Sequence, residues 1–218
     1  TGRIKECEKI LKDIAVKYPL KTGRLNKSVS SDTLPLTIRG FLAELFLRTS
    51  REESAYQIFT DIEKSDVDKN FLAEIKASAF LRAGSYQTAE RLYLSLRKES
   101  KNEGSYSEEL YQSYQGLNKL SGSVNELLKM TGSYGSEENL KQDAGSFNPV
   151  AELFRLYETS GFRDSILQAA EKLPKTEKNS ILLSDLYFNS GSYDKAFNII
   201  KRSASGKNIN HLSADYAV

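Results

Sequence analysis

The sequence predicts an all-α protein assembled from repeated antiparallel helical hairpins. Three observations carry that reading. Four stretches superpose on one another: Leu45–Ser50 running on to Ala55 and Phe59, Ala79–Tyr86 to Ala89 and Tyr93, Leu156–Phe162 to Ile166 and Ala170, and Leu186–Tyr193 to Ala196 and Ile200. Within each, an aromatic residue stands four before a Gly or Ser turn and apolar residues stand five and nine after it, while three of the four carry a small residue seven before it. Finally, the Lys/Glu-rich composition and near-3.5 apolar spacing leave little room for strands.

The offsets have a simple physical reading. Small residues let paired helices approach closely, and the aromatics fill the gap between neighbouring hairpins. A Gly at the turn adopts the left-handed conformation that ends a helix without steric cost. One hairpin cannot bury its own apolar face, so hairpins stack and share a core.

Taken in order, the chain opens with Gly2, Cys7 and Leu11 in the turn, plus-five and plus-nine places, so residues up to Pro19 read as a second helix whose first is missing. Cys7 then stands as a small packing residue. Residues 20–34 are poor in apolar side chains and read as a loop, and Pro35 suits the first turn of the next helix. Turns follow near Ser50, Gly84, Ser121, Gly161 and Gly191 at irregular intervals, the first pair 34 residues apart. The Gly/Ser-rich segment 131–147 is the expected hinge, dividing residues 1–130 from 148–218, with Asn148-Pro149 entering the helix after it. His211 to Val218 reads as the opening of another first helix, so the sequence is expected to be a piece of a longer array.

The runs Ala83-Gly84-Ser85-Tyr86-Gln87-Thr88-Ala89 and Ser190-Gly191-Ser192-Tyr193-Asp194-Lys195-Ala196 resemble the Gly-x-Tyr-x-x-Ala turn of tetratricopeptide repeats, whose period is about 34 residues. The resemblance covers about three quarters of the chain by this comparison. It implies a right-handed superhelical solenoid of hairpins that holds a partner protein or peptide in its concave groove, without catalysis. It also implies that residues two, three, six and ten before each turn line that groove. Those two before are Arg48, Arg82, Lys119, Thr159 and Asn189; those six before are Glu44, Ser78, Gln115, Arg155 and Asp185; those ten before include Glu74 and Tyr111. Arg48, Arg82 and Lys119 would form a column of cations about 10 Å apart, suited to an acidic peptide. Such cations also complement the C-terminal end of a helix dipole without any ligand. Glu44 and Ser78 stand where the chaperone-binding members carry Asn, a departure from that clamp. Tyr111 lies off the Leu110–Tyr114–Leu117 face and reads as a groove anchor.

A second reading makes the array the non-catalytic superhelical region of a larger enzyme, such as a bacterial lytic transglycosylase. Self-association through bare end helices is a third.

Chemistry is sparse. His211 is the single histidine, so neither a His-based triad nor a multi-histidine metal site is available within the sequence, and no cofactor is expected. Around Gly206-Lys207 the other positions of a phosphate-binding loop do not match. The pairs Glu52-Glu53, Glu108-Glu109 and Glu137-Glu138 are helix neighbours that do not share a face. A net charge of +2 exerts no strong pull on nucleic acid, and no apolar run approaches the roughly 20 residues needed to cross a bilayer. A soluble protein of a bacterial cytoplasm or periplasm fits these values.

Overall fold

The computed structural model describes residues 2–20, 30–65, 67–131, 147–159 and 161–204, and among them there are eleven α-helices and no strand. They are α1 (Gly2–Lys17), α2 (Ser30–Arg48), α3 (Glu52–Glu63), α4 (Lys69–Arg82), α5 (Tyr86–Ser100) and α6 (Ser107–Gly116). The remainder are α7 (Leu120–Met130), α8 (Pro149–Thr159), α9 (Arg163–Glu171), α10 (Glu177–Asn189) and α11 (Tyr193–Ala204).

A left-handed residue follows the first helix of each repeat: Ser50 (φ 57°), Gly84 (81°), Asn118 (56°), Gly161 (69°) and Gly191 (77°). Four of these turns share one hydrogen-bond pattern. The N–H of Arg51, Ser85, Lys119 and Ser192 donates to the carbonyls of Phe46, Phe80, Tyr114 and Tyr187, each at 2.9 Å. The left-handed residue itself donates three residues back, to Leu47, Leu81, Gln115 and Phe188 at 3.0–3.1 Å. Carbonyls that the helix end would otherwise leave unmatched are thereby satisfied.

The third turn is therefore at Asn118, not near Ser121. Asn is one of the few L-residues that enters the left-handed region at modest cost, so the turn carries neither Gly nor Ser. With this correction Ser50, Gly84 and Asn118 fall at a constant interval of 34 residues. Tyr114, Ser123 and Leu127 then take the minus-four, plus-five and plus-nine places, and Ser123 and Leu127 are fully buried. The plus-five residues Ala55, Ala89 and Ile166 are likewise fully buried, and Ala196 nearly so.

The chain forms two compact units, residues 1–123 and 124–218. This division lies within α7; of the expected hinge 131–147, residues 132–146 lie outside those described. In the first unit α4 packs against both α2 and α5, and α6 against both α4 and α5, so first helices stand side by side. Their shared core runs from Leu42, Ala43 and Phe46 through Ala55, Phe59, Ala77 and Phe80 to Ala89, Tyr93 and Leu110. Phe59 and Phe80 meet with ring centroids 6.0 Å apart. Burial of each such ring contributes about 1.5–3 kcal/mol before entropy is counted. In the second unit α10 packs against α9 and α11, around Leu182, Leu186, Tyr187, Ile166 and Ala170.

Two expectations about the N-terminal region are corrected. Cys7 is exposed, and no residue of α1 is fully buried. α1 touches α2 and places Leu11 against the core, while Ile4 and Ile10 remain exposed. Arg39 fastens the helix by donating to the carbonyls of Ala15 and Tyr18, both at 3.1 Å. Glu8 adds an ion pair with Arg51 at 2.8 Å. Hydrogen bonds from Arg51 and Lys12 hold the Glu8 carboxyl down at about 2. The second correction concerns α2, which begins at Ser30, so residues 30–34 are helical and Pro35 lies inside the helix.

Candidate partner-binding surface

The repeat places Arg48 and Arg82 at matching sites, each two residues before its turn, and Glu44 one helical turn before Arg48. Packing of α4 on α2 then brings the three together. Arg48 Nη2 donates to Glu44 Oε1 at 2.8 Å, and Arg82 Nε donates to Glu44 Oε2 at 2.7 Å. Arg48 also donates to the Arg82 carbonyl at 2.7 Å, and Arg82 Nη1 donates to Ser78 Oγ. On its other side the Arg82 guanidinium stands 5.1 Å from the centroid of the Phe41 ring. Arg48, Arg82 and Phe41 are 54%, 40% and 45% exposed, against 13% for Glu44. The carboxylate is thus enclosed and the two guanidinia are open. Each has five N–H donors in a fork that matches carboxylate oxygens.

The polar row continues into the interior through Ser78, which hydrogen-bonds the phenol of Tyr93. Burial, aided by the nearby Glu109 charge, pushes Tyr93 up to about 12 against that hydrogen bond. Tyr93 meets Tyr106 with ring centroids 5.6 Å apart, and the Tyr106 hydroxyl donates to Glu74 Oε1 at 2.6 Å. Burial and that bond push Tyr106 up to about 12 as well. Tyr106 sits at φ 60°, a strained backbone for an aromatic residue, at the entry to α6. Arg97 steadies this corner by donating to the Ser105 carbonyl at 2.7 Å and to Ser107 Oγ at 3.1 Å. Desolvation raises the carboxyl of Glu109, on the first turn of α6.

Of the residues expected in the groove, Arg48, Arg82 and Glu44 are brought together. Lys119 is not in their column, because the third turn precedes it: its ammonium pairs with Glu90 of α5 at 2.6 and 2.8 Å and lies 5.9 Å from the Tyr114 ring centroid. Gly116 takes the place two before that turn. Tyr111 is only 5% exposed, so it is a core residue and not a surface anchor. The same three-residue shift in register explains the error. Asn189 belongs to the second unit, where its amide donates to the Asp185 carbonyl at 2.8 Å. His211 lies outside the described residues. Phe41 was not anticipated, since the repeat offsets ignore the place nine before a turn; its spacing from Glu44 and Arg48, three and four residues in succession, was the available signal.

The second unit has an open cleft of about 570 Å³ between α9, α10 and α11. Several polar groups in its walls are already engaged: Thr176 accepts from the Asn179 N–H, Asn179 donates to the Pro174 carbonyl, and Ser180 to the Thr176 carbonyl. No group of three or more His, Cys, Asp or Glu side chains among the described residues is placed to hold a metal ion. No described helix is long and apolar enough to cross a membrane. No protein-family model, curated protein or solved structure matches the chain at a significant level.

Proposed function

We propose that this chain is a non-enzymatic binding scaffold, an array of tetratricopeptide-type hairpins that holds an acidic segment of a partner protein against α2 and α4. The observation that carries the reading is the pair of open guanidinia, Arg48 and Arg82, on adjacent first helices beside the exposed ring of Phe41. Exposed arginines next to an exposed aromatic supply charge-assisted hydrogen bonds and apolar contact at one place, the combination favoured at protein interfaces. A surface ion pair of this exposure contributes about 0–1 kcal/mol to folding, so stability is a weak reason for the arrangement.

The test is selection from a random peptide display library on the immobilised chain, with the double variant Arg48→Glu/Arg82→Glu as counter-bait. Enrichment of acidic peptides that bind the chain and not the double variant supports the proposal. Enriched peptides that bind both forms equally contradict it, as does no enrichment at all.

A further inference from the structure

We infer that Glu44 is a built-in competitor for the ligand, an internal carboxylate that holds the two arginines of the α2–α4 face and sets how much negative charge a partner must bring. The inference rests on the reading of that face as a site for acidic segments. Its basis is the way Glu44 is bonded. One oxygen accepts from Arg48 at 2.8 Å and the other from Arg82 at 2.7 Å, so a single carboxylate occupies both cations. The Nε side of Arg82, part of the edge that suits a two-point carboxylate contact, is engaged by Glu44, and Nη1 is engaged by Ser78. Glu44 is also the least exposed of the three, so it stays in place while the arginine tips remain in solvent. The local charge of the trio is therefore +1 and not +2. An isolated carboxylate meets a site already half neutralised, whereas a segment with several carboxylates draws the arginines outward.

Removing the charge of Glu44 should strengthen the binding of acidic segments. A charge removed at contact distance from ligand carboxylates, on a surface with an effective dielectric between protein and water, changes affinity by about tenfold. The probe is a fluorescein-labelled octapeptide with glutamates on both sides of a central phenylalanine, and its glutamine counterpart is the neutral control. Fluorescence anisotropy is read for wild type, Glu44→Gln, Glu44→Ala and Arg82→Glu at low salt and at 0.5 M NaCl. Circular dichroism melts confirm that each variant is folded.

The expected result is about tenfold tighter binding of the acidic peptide by both Glu44 variants, a gain that shrinks at high salt and is absent with the neutral peptide. If either folded Glu44 variant fails to gain while Arg82→Glu abolishes wild-type binding, Glu44 orients the arginines instead of competing for them. The inference is then overturned and the scaffold reading stands. If no form shows binding that depends on Arg82, the scaffold reading falls and the inference falls with it.

Discussion

The ring of Tyr86 occupies the space that a side chain at Gly116 would need: a Cβ there would lie 2.2 Å from Tyr86 Cδ2 and 2.4 Å from Cγ. Tyr86 is the second residue after the Gly84 turn, and Gly116 takes the place two before the Asn118 turn. One hairpin thus locks onto the next helix through a contact that only glycine admits. Gly116→Ala gains some helix propensity but must displace a ring near its root, so it should destabilise the first unit by about 1–2 kcal/mol. A double-mutant cycle with Tyr86→Ala, read by urea denaturation, should show strong coupling, because the alanine at 116 costs little once the ring is gone.

The left-handed turns make a second, opposite prediction. Ser50 and Asn118 adopt φ 57° and 56° with a Cβ, whereas Gly84 does so without one. Ser50→Gly and Asn118→Gly should each raise stability by about 0.5–1 kcal/mol, and Gly84→Ala should lower it by about 1 kcal/mol, although nothing lies within 4 Å of the Gly84 Cβ position. Thermal melts of the three variants check this.

These turns also mark how far the fold could be read from the sequence. The hairpins at Ser50, Gly84, Gly161 and Gly191 were legible because a Gly or Ser marks the turn and Ala or Ile marks the buried place five beyond it. The third was misplaced because Asn118 supplies the same backbone with a different side chain. That slip carried Lys119 into the expected site and promoted Tyr111 to a surface anchor. Glu44 as the link between Arg48 and Arg82 was not legible, since it depends on the side-by-side packing of α2 and α4. Cys7 occupies a repeat position that is buried elsewhere and exposed here; its place in the pattern says nothing about what covers it.

Acid should loosen α1 through Glu8. Its carboxyl is held at about 2 in the fold against an ordinary 4.5, chiefly by the hydrogen bond from Arg51. A depressed carboxyl contributes stability that is fully present above about 4.5 and is lost as pH falls toward 2. Glu8→Gln should therefore be less stable than wild type at pH 7, and the difference should vanish near pH 2. Urea midpoints at the two pH values measure it.

The hydroxyl of Tyr157 is buried and has no hydrogen-bond partner among the described residues. A buried hydroxyl that stays unpaired is unfavourable, and the Tyr157 ring is fully packed in the second unit. Tyr157→Phe should keep the packing and raise stability by about 1 kcal/mol, seen as a higher melting temperature.

The central claim is that the face carrying Arg48, Glu44, Arg82 and Phe41 receives an acidic partner segment. Its most direct test is an NMR titration of the ¹⁵N-labelled chain with the acidic octapeptide, following the backbone amides and the arginine Nε–H signals. The account expects saturable shifts centred on Phe41, Glu44, Arg48, Ser78 and Arg82, with the arginine Nε–H signals moving most. Saturable shifts centred elsewhere, with the arginine signals unmoved, would contradict it.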